Sequence, residues 1–221
     1  MLIALSIISM LLVGIVAFRF SYSSLSAIES GIGFIALFGC AGALWLYRNR
    51  PSRSMNSVER NGVIFFGIIL GLLWIIEISI NNFIAPPIPA RDIVDNIFWA
   101  IIAFSILAFS IIQAYRKNSL VLGIEAGIWN GFVSGLMACG MALCIVVFGM
   151  RFILQDPLNV SEWVGLGIGS TAPNMAAYFA FETFAGAFGH LIILGLVMGS
   201  LLGVIGGSVG KGIKLIVRTK R

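Results

Sequence analysis

The chain has 221 residues, of which 59% are hydrophobic and only 10% charged, with a mean hydropathy of +1.04 and a formal net charge of +5. Soluble domains carry about a quarter charged residues, so this composition excludes a water-soluble enzyme or binding domain and makes lipid the expected solvent. The chain has 14 Lys and Arg against 9 Asp and Glu, and the cations lie between apolar runs. That spacing points to the bilayer rather than nucleic acid as the partner of the positive charge.

Six apolar segments follow one another, at residues 2–18, 31–47, 62–80, 93–115, 127–149 and 188–209. As helices rising ~1.5 Å per residue, each can cross about 30 Å of hydrocarbon, the first two only just. Isolated strands cannot satisfy their backbone in lipid. The expected fold class is therefore all-α, a single polytopic domain built as a bundle of six transmembrane helices. The first segment has no basic residue ahead of it and no small-residue cleavage site, and is read as a retained span.

The connections set the orientation. Arg48, Arg50, Arg53 and Arg60 lie between the second and third segments, Arg116 and Lys117 after the fourth, and Lys211, Lys214, Arg218, Lys220 and Arg221 after the sixth. The other three connections hold Arg19, Arg91 and Arg151. Alternating spans thus put eleven cations on one side and three on the other. The positive-inside rule makes the first side cytoplasmic, with both termini on it, in a plasma or inner membrane. Glu29, Asp92, Asp95, Asp156, Glu162 and Glu182 fall on the other side.

Two outer connections are more developed. Residues 81–92 contain Pro86, Pro87 and Pro89, which stop the third span and stiffen the path. Residues 151–187 form the longest non-spanning stretch. Pro173 after Ser170 and Thr171 marks a helix start, and 174–184 reads as an interfacial or re-entrant helix before the last span. The same stretch also fits a long helix running into that span and broken near Gly186 and Gly189.

The fifth span carries Gly123, Gly127, Gly131 and Gly135, and the sixth Gly195, Gly199, Gly203 and Gly207. A spacing of four places each set on one helix face. Bare backbone there allows close helix approach, either between these two spans or against a homo-oligomer or another membrane subunit.

Glu77 is the most informative single residue. A carboxylate inside a span is costly unless neutral, paired or wet, and so marks a site. Asn81 lies one turn later on the same face. His190, the sole histidine, opens the sixth span, and Asp92, Asp95 and Glu182 share that side. No paired metal ligands, Walker motif or dinucleotide fingerprint occurs, so no metal or cofactor is expected. Ser134 and His190 do not make a protease dyad, since their depths differ by more than about 10 Å at ~1.5 Å per residue. Three function classes fit: a transport or channel subunit with an extracytoplasmic polar site at Glu77, Asn81 and His190; a non-catalytic partner docking through its glycine faces; and a membrane enzyme using Glu77 and His190 as acid and base. The first is preferred, and a catalytic role is not expected.

Overall fold

The structure is a computed structural model and describes residues 2–49 and 55–219. Of the charge pattern, Arg50, Arg53, Lys220 and Arg221 lie outside the described residues. Among the described residues every regular element is helical. In chain order α1 is Leu2–Phe20, α2 Ser24–Asn49, α3 Ser57–Ser79, α4 Ile88–Lys117 and α5 Leu120–Phe148. The short helices α6, Met150–Gln155, and α7, Pro157–Gly165, precede α8, Met175–Gly189, and α9, Gly199–Thr219. A π-helical turn at Ile80–Ile84 extends α3, and a π-helical stretch at His190–Met198 joins α8 to α9. Among the described residues six rods are long and apolar enough to cross a membrane: Leu2–Phe20, Ser26–Tyr47, Ser57–Ile84, Ile88–Lys117, Leu120–Phe148 and Met175–Thr219. A multi-pass membrane protein follows.

Most helices reach beyond their apolar runs because polar caps, not hydropathy, decide where a helix starts. Asn56 accepts from the Glu59 amide at 2.9 Å, while Glu59 Oε2 accepts from the Asn56 amide at 3.0 Å. This reciprocal box starts α3 five residues ahead of its apolar segment. Pro89 sits in the first turn of α4, and Asn118 ends that helix in the left-handed region. Asp156 caps α7 ahead of Pro157, and Asn174 accepts from the Ala177 amide to start α8.

Residues 151–187 are organised differently from a simple loop. They hold nearly all of α6, α7 and all but the last two residues of α8, which runs on through the π stretch and α9 as a rod of 45 residues, Met175–Thr219. The long-helix reading of 174–184 is the arrangement found. Gly186 and Gly189 do not break it, and the change to π geometry falls immediately after Gly189, at His190.

Helix α5 is the central pillar. Its apolar window is 78% buried, against 22–39% for the other rods. It packs against α1, α3, α4, α8, the π stretch and α9. Lipid provides no hydrophobic drive for this, so close approach must. A Cβ at Gly127 would fall on the Gly203 Cα, and one at Gly131 on the Gly195 carbonyl oxygen. Gly123 stands against Gly207 in the same way, and Gly135 against Gly195 and the His190 carbonyl. The other face of α9, through Gly206 and Gly210, abuts Ser110, Ile111 and Ala114 of α4.

The two ends of the bundle differ in charge. At the basic end Lys117 pairs with Glu59, Arg60 donates to the Tyr47 carbonyl at 2.9 Å, and Lys214 lies over the Tyr115 ring. Leu2 shares a cavity there with Tyr47 and Arg60. At the acidic end the start of α4 meets the end of α3, α6 and α7.

Candidate functional site

The site lies at the acidic end. Trp74, Glu77 and Asn81 fall on one face of α3 at spacings of three and four. The π-helical turn that begins at Ile80 then advances the chain by less rotation per residue than an α-turn. Asn81 and Asn82 consequently both reach the same cavity. Glu77 is only 6% exposed.

Asn81 Nδ2 donates to Glu77 Oε1 at 2.7 Å and to Asp95 Oδ1 at 2.5 Å. One amide therefore bridges the carboxyls carried by the end of α3 and by α4. Two buried atoms here have no hydrogen-bond partner: Glu77 Oε2 and Asn81 Oδ1. Leaving such groups unpaired costs about 1–3 kcal/mol each, and more when charged. The residues gathered around them line a half-open cavity of about 210 Å³. Glu77, Asn81 and Asn82 form one wall, Thr183, Gly186 and His190 the opposite one, and Ala142 and Ile145 of α5 the apolar back.

His190 Nδ1 lies 2.8 Å from the Gly186 carbonyl oxygen. A carbonyl can only accept, so Nδ1 is the protonated nitrogen and Nε2 is the acceptor of the neutral ring. One helical turn deeper than the carboxyls, Trp74 meets both His190 and Trp99 edge to face, at 5.1 and 5.4 Å between centroids. Trp74 is 1% exposed and is closed off from solvent.

A second compartment of about 230 Å³ shares Asn81, Asn82 and Thr183 with the first. It contains the ion pair Arg91–Asp156, 2.7 Å apart, which ties α4 to the start of α7. Glu162 and Glu182 also line it, and Glu162 accepts from the Tyr178 hydroxyl at 3.0 Å. The polar region is thus two-chambered, with Asn81 and Asn82 between the chambers.

Of the residues singled out from sequence, Glu77, Asn81, Asp95 and His190 come together. Glu182 is exposed and lines the second chamber. Asp92 is exposed and takes no part in either chamber; its carbonyl accepts from Asn96 at 2.7 Å. Asn82, Thr183, the Trp74–Trp99 contact and the Arg91–Asp156 pair went unremarked in the sequence. Trp74 lies one turn before Glu77 and could have been found by its spacing. The ion pair joins residues 65 apart, and nothing local marks it. Among the described residues, no three His, Cys, Asp or Glu side chains are grouped to hold a metal ion. Comparison with protein-family models, curated proteins and solved structures returns no match to this chain.

Proposed function

We propose that this chain is a transport or channel subunit of a plasma or inner membrane, with the Glu77 cavity as its solute site. In this reading the acidic end faces away from the cytoplasm and both termini lie in the cytoplasm. The Lys and Arg distribution supports that orientation. The observation that carries the proposal is the burial of Glu77 beside a cavity with Oε2 unpartnered. A carboxyl held inside a span at that cost is expected to mark a solute or ion path. The second chamber gives the cavity a polar neighbour on the side of the Arg91–Asp156 pair.

A partner protein docking through the glycines of α5 and α9 would need those helices to separate, because their glycine faces are turned on each other. The transport reading requires no such rearrangement. It is tested by reconstituting the full chain in vesicles and comparing solute flux with that of Glu77→Gln. Removing one charge-assisted hydrogen bond of ~1.5–3 kcal/mol is expected to weaken solute binding by roughly 10- to 100-fold and to reduce flux accordingly. Unchanged flux in a correctly folded Glu77→Gln chain would refute the proposal.

A further inference from the structure

Of the chain's 9 Asp and Glu side chains, the buried ones are Asp156 and Glu77. Asp156 has the Arg91 guanidinium 2.7 Å away. Glu77 has nothing comparable: among the described residues no Lys, Arg or His forms an ion pair with it. The titratable groups nearest to it are Asp95 of α4, joined through Asn81, and His190 on the opposite wall, whose Nδ1 is held by the Gly186 carbonyl. Helix α5 brings only the apolar Ala142 and Ile145. Arg91, Asp156, Glu162 and Glu182 line the second chamber. A carboxyl in such a setting takes up a proton in preference to holding an unneutralised, dehydrated charge.

Two atoms locate that proton. Both N–H groups of the Asn81 amide are committed, one to Glu77 and one to Asp95. That fixes the orientation of the amide, since the flipped form would set its oxygen against two carboxyls. Asn81 Oδ1 is therefore an acceptor. It is buried without a hydrogen-bond partner, and so is Glu77 Oε2. Both atoms are closed to water, so water cannot supply the missing bonds. A proton needs no such space. Placed on Glu77, it removes the charge and turns an orphaned acceptor into a donor. Asn81 Oδ1, the unused oxygen of the amide already bonded to Oε1, offers the matching acceptor. Asp95 is only partly buried and remains the ionised member of the pair.

We propose that Glu77 is a proton-binding site: its carboxyl holds a proton at neutral pH and exchanges it with the acidic end through the half-open cavity that it lines. The cavity shares Asn81, Asn82 and Thr183 with the second chamber. Its volume of about 210 Å³ leaves room for several waters at ~30 Å³ each, which gives the proton a hydrogen-bonded way out. The inference deepens the transport reading by naming the ion exchanged at its site, while the proton itself rests on the geometry.

Infrared spectroscopy of the purified full chain tests it, because a carboxylic acid has a carbonyl stretch that a carboxylate lacks. Ether-lipid bilayers are used, since they have no ester carbonyl of their own. An ordinary glutamate, with a pKa of ~4.3, is protonated in roughly one molecule in 500 at pH 7. The unmutated chain is expected to show the acid band at pH 7 and to shift it in heavy water as O–H becomes O–D. Glu77→Gln is expected to lose the band, and Asp95→Asn to keep it.

Absence of the band from the unmutated chain at pH 7 would overturn the inference, and that measurement needs no variant to fold. A band that survives Glu77→Gln, or is lost in Asp95→Asn alone, would place the proton on another carboxyl and overturn it equally. A band unmoved by heavy water would overturn the exchange. The transport reading fails separately. Unchanged flux in Glu77→Gln beside a lost band would refute the solute site and leave the proton, whereas lost flux with no acid band in the unmutated chain would do the reverse.

Discussion

Asn81 organises the acidic end because an amide has two donors and can satisfy one carboxyl from each of two helices. Its bonds to Glu77 and Asp95 hold the two carboxyls at a fixed separation. Replacing it by leucine removes the bridge but keeps the volume, so Asn81→Leu is expected to reduce solute flux in reconstituted vesicles without altering elution of the purified chain. Asn130 presents the opposite case. It is fully buried beside Gly67, and neither of its side-chain polar atoms has a partner. An amide in that state costs about 1–3 kcal/mol, and an apolar side chain of similar shape escapes the cost. Asn130→Leu is expected to raise the thermal midpoint; a lower midpoint would show that the amide is satisfied by a group in the working protein. The Glu77–Asn81 pair was legible in the sequence because four residues is one helical turn. Asp95 was legible only as an acid on the same side, since its bond to Asn81 depends on how the proline-rich connection turns the chain back.

At the scale of elements, the glycine spacing identified which faces carry no side chains, but not the second contact of α9. Gly206 and Gly210 press on α4, so α9 lies in a groove between two helices, each meeting a different glycine set. The consequence is a sharp contrast between glycines. A methyl at Gly131 meets the Gly195 carbonyl, a backbone atom that cannot turn aside, whereas one at Gly39 meets open space. Gly131→Ala is expected to lower stability by about 1–3 kcal/mol through overpacking. Gly39→Ala is expected to be neutral or to gain up to ~1 kcal/mol from helix propensity. Thermal unfolding in detergent would compare them, and equal effects would contradict the packing. Helix ends were the least legible part. Hydropathy marks the stretch that suits hydrocarbon, while Asn56, Glu59 and Asn174 start helices in polar sequence.

For the whole molecule, the apolar runs were sufficient to anticipate six rods, because six separate stretches each reach the length needed to cross a membrane, the first two at the lower limit. The orientation rests on charge and is directly testable. With the three native cysteines replaced by alanine, Val164→Cys on α7 is expected to react with an impermeant maleimide applied outside cells. Val58→Cys at the start of α3 is expected to react only after permeabilisation. The reverse pattern would invert the protein. The sixth rod was foreseen as one of two possibilities, though with a break near Gly186 and Gly189 that is not present, and its full length has a mechanical consequence. Forty-five residues of helix span roughly 67 Å if straight, about twice the hydrocarbon thickness. Lys214 and Arg218 near one end and His190 toward the other are thus points on a single lever. A force applied to the basic end acts on the same shaft that carries the imidazole, so a tilt of α9 is expected to displace His190 at the cavity.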